Sequence, residues 1–183
     1  MLVLPLATAR VWSSSATSLT TLTINCDKGN NAQQLSYPNL ETVGTLTIDF
    51  DECRLGSTSF PKLRSVTNDL IVRLDLSEFE GFNLPALETI GGGLTLNFDE
   101  ARKTSVSMPK LRSIGQTLKV RLDDSALENL RLPALASVGK VDMVGDDSTL
   151  RGITLGSTSN PYAPALSSVK AVGCVLTCYV LVG

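Results

Sequence analysis

The chain has 183 residues, 43% of them hydrophobic and 19% charged, and a net charge of −2. That is a globular composition, which excludes a strongly basic nucleic-acid binder and gives no reason for a polybasic membrane anchor. Histidine is absent, and with it Ser-His-Asp and Cys-His catalysis, imidazole-ligated zinc and His-based pH switching.

Met1 to Ala9 has a short apolar run ending in Ala7-Thr8-Ala9, like a fragment of a signal peptide. It has no positively charged leader and Pro5 interrupts it, so residues 1–12 read as an apolar cap strand over the first coil. Beyond it, one phrase repeats. Pro38, Pro61, Pro85, Pro109 and Pro133 recur at near-constant intervals of 23, 24, 24 and 24, and Pro164 follows after a longer gap. Each opens the same words: Pro38-Asn-Leu40-Glu-Thr-Val43-Gly44, then Pro61-Lys-Leu63-Arg-Ser-Val66, and so on to Pro133-Ala-Leu135-Ala-Ser-Val138-Gly139. A worn copy without proline spans Ser14 to Leu19.

After each phrase comes a short alternation: Leu22/Ile24, Leu46/Ile48, Leu70/Val72, Leu94/Leu96, Leu118/Val120 and Val141/Met143. A second precedes the proline: Leu35/Tyr37, Phe82/Leu84, Val106/Met108, Leu130/Leu132 and Ile153/Leu155. Period two over such short runs predicts strands with one buried face. So short a repeat, holding two strands already, has no room for a full helix and its connections. The fold class is therefore all-β: a right-handed parallel β-solenoid, leucine-rich-repeat-like, of about seven 23–24-residue coils. Proline belongs at the corner where a strand ends. Gly44, Gly91, Gly115 and Gly139 read as turn residues needing a permissive φ.

The whole chain, 1–183, reads as one repeat domain. Regular coils occupy 13–155, an inserted loop 156–163, and a last coil with an apolar segment 164–183. No run reaches the length of a membrane-spanning helix.

The phrase Leu-x-x-Val/Ile-Gly-x-x-Leu-x-Ile-x-x-Asp resembles the receptor L-domain and the related leucine-rich repeats of fungal cell-wall proteins, over about residues 13 to 175. The resemblance implies an extracellular or cell-surface solenoid that binds partners through a sheet face.

Stacking turns equivalent residues into columns about 4.8 Å apart. One column is acidic: Asp27, Asp51, Asp75, Asp99, Asp123 and Asp146. It suits either a row of hard-cation ligands, with Asp51, Asp99 and Asp123 as the candidates, or Asx-type turns in which each carboxylate accepts backbone N–H groups; the turn is the preferred reading. Neither a metal nor another cofactor is assigned. A second column alternates in sign (Glu41, Arg64, Glu88, Arg112), and Asp49, Arg73, Asn97, Arg121 follow a similar rule. The true period is therefore two coils, as Phe50-Asp-Glu52 and Phe98-Asp-Glu100 confirm. Alternation avoids stacked like charges and resists register slip.

The outward face carries Thr21/Thr23 and Thr45/Thr47, a Thr-x-Thr pattern like that of ice-binding solenoids, broken further on by Asp69, Lys119 and Lys140. Cys26 and Cys53 fall in neighbouring repeats, where a disulfide and two free buried thiols are equally compatible; Cys174 and Cys178 form no CxxC pair, and there is no Asn-x-Ser/Thr sequon. The inserted loop brings Pro161 and Tyr162, and the apolar C-terminal segment brings Tyr179. With Arg73, Lys119 and Arg121 these are the candidate contact residues. The expected function is a non-catalytic interaction or scaffold domain with a protein partner or with itself, at a cell surface or outside the cell, through a sheet face and an uncapped end. The alternative is an ice- or glycan-binding surface protein. No nucleic-acid partner and no transmembrane span are expected.

Overall fold

The computed structural model describes residues 2–5, 12–27, 31–79, 81–101, 104–146, 149–156, 169–172 and 175–176. Every regular element among them is a strand. In chain order the strands are β1 (Leu2–Pro5) and β2 (Trp12–Ser13), then β3 (Ser18–Cys26) and β4 (Asn31–Ser36), then β5 (Thr42–Asp51) and β6 (Arg54–Ser59). The next coil holds β7 (Ser65–Val66), β8 (Leu70–Asp75), β9 (Glu78–Phe79) and β10 (Phe82–Asn83), and the one after it β11 (Thr89–Ile90), β12 (Leu94–Asp99) and β13 (Thr104–Ser107). Then come β14 (Ser113–Asp123) with β15 (Ala126–Leu132), β16 (Ser137–Asp146) with β17 (Thr149–Leu155), and β18 (Val169–Val172) with β19 (Val175–Leu176).

All pairings are parallel and join one coil to the next. The result is a β-solenoid of about five turns, roughly 24 residues apart. This corrects the expectation of seven. Leu22, Leu46, Leu70, Leu94, Leu118 and Val141 stack in one column at the regular repeat. Leu2 pairs with Leu22 across a shorter stretch of chain, and Val169 with Val141 across a longer one. The end strands join the sheet without keeping the period.

One face is a continuous ten-stranded sheet from β1 to β18. The other is interrupted within a single coil: β9 pairs with β6 and β10 with β13, leaving sheets of four and five strands. Next to this break an inward position changes character. Thr58, in register with buried Leu35, has an Oγ1 that is buried with no hydrogen-bond partner among the described residues.

Between the faces lies a single apolar core. The inward columns Leu22–Leu46–Leu70–Leu94–Leu118 and Ile24–Ile48–Val72–Leu96–Val120 are buried, as are Leu40, Leu63, Leu87, Leu111 and Leu135 from the proline phrase. Each such side chain removed from water contributes about 1.5–3 kcal/mol.

The proline turns are five copies of one structure. Leu40 N–H donates to Tyr37 C=O, Leu63 to Phe60, Leu87 to Leu84, Leu111 to Met108 and Leu135 to Leu132, at 3.2–3.4 Å. That is a four-residue turn with proline second, where its fixed φ is already correct. Tyr37 and Phe60, which open two of these turns, stack with ring centroids 5.3 Å apart.

The glycines differ from expectation. None of Gly44, Gly91, Gly115 and Gly139 has a positive φ; among the described residues Gly156 is the glycine that does. Their role is close approach. A Cβ on any of them would run into the main-chain oxygen of the coil beneath: Thr20, Thr67, Gly91 and Gln116 respectively.

Candidate interaction surface

At the far end of the long strands the chain turns into the second face, and here the Asp column becomes a structure. Asp51, Asp75, Asp99, Asp123 and Asp146 stand in register on successive coils. The Asx-turn expectation is corrected at Asp51 and Asp99, where the N–H groups of Cys53 and Ala101 donate to serine hydroxyls instead, and main-chain hydrogen bonds of this corner run to the Asp carbonyls. Glu52 N–H donates to Asp75 C=O, Leu76 to Asp99 and Glu100 to Asp123, each at 2.9 Å. The turn itself is made by the residue after each Asp, which adopts a left-handed conformation: Glu52 at φ 51°, Leu76 at 46°, Glu100 at 47° and Asp124 at 43°. For a residue with a Cβ that costs roughly 1–2 kcal/mol.

Two buried serines complete the corner. Ser77 Oγ accepts from Cys53 N–H at 3.1 Å and donates to Asp75 C=O at 2.7 Å. Ser125 repeats this two coils on, accepting from Ala101 N–H at 3.0 Å and donating to Asp123 C=O at 2.8 Å. Sequence reasoning missed both. Their signal was present: a small residue two places after each Asp, as Cys53, Ser77, Ala101 and Ser125.

Asp99 shows what the stacking does. Partial burial raises its pKa above the ordinary 3.8, with Asp75, Asp123 and Asp124 adding repulsion. Among the described residues no group of three or more Asp, Glu, Cys or His side chains is arranged to hold a metal ion. The structure thus aligns Asp51, Asp99 and Asp123 in one column without converging them.

The cysteine alternative is decided. Cys26 and Cys53 form a disulfide, with Cα atoms 6.1 Å apart and both residues 1% exposed. Cys174 and Cys178 lie outside the described residues, as do Pro161, Tyr162 and Tyr179.

On the long sheet the outward columns run Thr23–Thr47–Ile71–Thr95–Lys119–Asp142 and Asn25–Asp49–Arg73–Asn97–Arg121–Val144. Arg73 Nη1 binds Asp49 Oδ2 at 3.2 Å across coils, the alternation acting as expected. Lys140 and Asp142 approach to 4.0 Å within one strand. Glu41, Arg64, Glu88 and Arg112 are linked through their main chains, Arg64 N–H to Glu41 C=O, Glu88 to Arg64 and Arg112 to Glu88, so their charges alternate along a backbone ladder. Thr42 and Thr89 donate hydroxyl hydrogen bonds to Ser18 and Ser65 one coil below, at 3.0 and 3.1 Å. The two Thr-x-Thr segments also stack in register, Thr21 on Thr45 and Thr23 on Thr47. Leu76, 47% exposed, and Val144, 42% exposed, are the large apolar side chains that reach solvent among the described residues, and neither was anticipated.

Comparison of the chain with protein-family models, curated proteins and solved structures returned no match. No helix among the described residues is long and apolar enough to cross a membrane.

Proposed function

We propose that this solenoid is a non-catalytic interaction or scaffold domain that meets its partner through the outward face of the ten-stranded sheet. The observation that carries the reading is the composition of that face. Six stacked strands present two columns in which charged, hydroxyl and aliphatic side chains interleave, on a frame held rigid by main-chain pairing beneath. Binding residues on a rigid scaffold lose little entropy on docking. The absence of histidine from the sequence weighs against acid–base chemistry near neutral pH. A likeness to the receptor L-domain and to fungal cell-wall repeats, carried by the repeated phrase, points the same way. The buried Cys26–Cys53 disulfide supports an extracellular or cell-surface location, since such bonds persist in oxidising compartments.

A second reading, an ice- or glycan-binding surface, is favoured by the stacked Thr21/Thr23 and Thr45/Thr47 pairs. The array ends at Asp69 and Ile71, so it covers two coils.

One set of measurements separates the two. The folded chain is used for affinity capture from an extracellular protein extract, beside an Arg73→Glu/Lys119→Glu/Arg121→Glu variant and a Lys62→Glu control. A captured protein lost only with the triple variant supports the proposal. Thermal hysteresis, or selective binding on a glycan array, overturns it.

A further inference from the structure

Two neighbouring levels of the stack are joined unevenly. On the ten-stranded face β5 and β8 pair without interruption from Leu46–Leu70 to Asp51–Asp75, and Arg73 binds Asp49 across them at 3.2 Å. On the second face the same two levels part. β6 pairs with β9 at Arg54–Glu78 and Leu55–Phe79, and there the ladder stops; β10, which continues the coil from Phe82, pairs with β13 instead. The main chains rejoin beyond the proline turn, where Glu88 N–H donates to Arg64 C=O at 2.8 Å. Between these ties runs a seam, with Thr58, Ser59 and Phe60 on one side and Phe82, Asn83 and Leu84 on the other.

The seam is weak in three respects. A main-chain bond found at the other levels is missing from it: Tyr37 N–H donates to Ser59 C=O at 2.9 Å, and Leu84 to Ser107 and Met108 to Arg131 at 3.0 Å, but Phe60 N–H has no such partner among the described residues. The inward column beside it holds Leu35, Phe82, Val106, Leu130 and Ile153, all buried. Thr58 stands in that column, partly exposed, with its Oγ1 buried and unpaired among the described residues. Finally, the Phe60 ring stacks on Tyr37, on the side away from the seam. Closing the seam keeps a lone hydroxyl from water, and opening it hydrates that hydroxyl.

We infer that this seam is an opening built into the solenoid: β6 and β10 separate while β5 and β8 stay paired, admitting water to Thr58 and to the core beside Phe82. Proteins open locally where main-chain bonds and buried contacts are fewest. The opening lies on the second face, so it does not depend on what the ten-stranded sheet binds.

The test is native-state hydrogen exchange on the full chain, read residue by residue by NMR over a series of sub-denaturing denaturant concentrations. Leu84 and Met108 are matched probes. Each is buried, precedes a proline in an interior coil and donates one main-chain bond of 3.0 Å, but Leu84 borders the seam. Expected without denaturant is a protection factor for Leu84 at least about tenfold below that of Met108. Its denaturant dependence is weaker, and the two converge as global unfolding takes over. Val72 and Leu96, on β8 and β12, exchange alike. A second readout is thiol labelling by a small neutral reagent, measured by mass on the peptide that carries the substitution. Thr58→Cys reacts at least about tenfold faster than Val106→Cys, its buried counterpart two levels on. Equal protection of Leu84 and Met108, as an ordered water bridging the seam would give, overturns the inference, and so does equal labelling of the two variants. Either result leaves the interaction-domain reading standing, and failure to capture a partner bears on that reading alone.

Discussion

Each coil closes at two places, and they are built on opposite principles. On the proline side the chain is compact: a four-residue turn, a buried leucine followed by charges that alternate in sign, and a glycine against the main chain below. At the exit corner the chain is strained and charged: a left-handed residue beside an Asp, stacked coil upon coil, with buried serines tying the levels together. The proline side is stabilised by what is absent, side-chain atoms that would hold the coils apart. The exit corner depends on specific groups that are present.

Removing covalent or steric determinants gives the largest effects. Replacing Cys26 and Cys53 by serine opens a loop spanning 27 residues, and loop-closure entropy puts the loss at about 3 to 4 kcal/mol, to be read from denaturant midpoints with and without reductant. Gly115→Ala places a methyl against Gly91 C=O, an atom of the main chain, and is expected to cost about 2 to 3 kcal/mol. Gly81→Ala, whose Cβ would lie 3.3 Å from Ser105 C=O, is the mild control. If the two alanines melt alike, the close-approach account of the proline side fails.

Polar changes at the exit corner come next. Ser125→Ala leaves the buried Ala101 N–H without its acceptor, an expected loss of about 1 to 3 kcal/mol by chemical denaturation. Leu76→Asn puts a residue that tolerates the left-handed region where leucine does not, and a gain of up to about 1 kcal/mol is expected. The smallest effect is electrostatic. The folded-state pKa of Asp99 is raised, so its contribution is fully present below the ordinary 3.8 and is lost as pH rises through the folded value. Asp99→Asn therefore melts higher than the parent near neutral pH. The difference closes as pH falls below 3.8 and narrows with added salt. A gain that persists in acid would remove the repulsion argument.

The two places also differ in how far they could be read from sequence. Pro38 to Pro133, their leucines and the flanking alternations predicted a parallel solenoid because each local signal has one dominant cause: a missing N–H, an apolar period of two. The glycines were visible but their cause was not, since permissive φ and close packing leave the same residue behind. At the exit corner the Asp column drew the eye, while the turn was made by its neighbours Glu52, Leu76, Glu100 and Asp124. No residue preference marks a leucine forced into that conformation. The cysteine pairing needed coordinates, because coil neighbours and bonded neighbours are the same in sequence. On the outward face Arg73, Lys119 and Arg121 were recognisable as exposed, yet the contact of Arg73 takes meaning only once Asp49 is known to lie in its register.

The alternation of coils has a further consequence for how such an array changes length. Excising the single coil that carries β11 to β13 would lay Arg64 beside Arg112 and Arg73 beside Arg121. It would also take away Ala101, whose N–H Ser125 accepts. Excising two coils leaves every opposite-charge neighbour and every serine contact between like partners. Duplication or loss is therefore tolerated in steps of two coils, and an odd number of inserted coils carries a stacking fault wherever it lands.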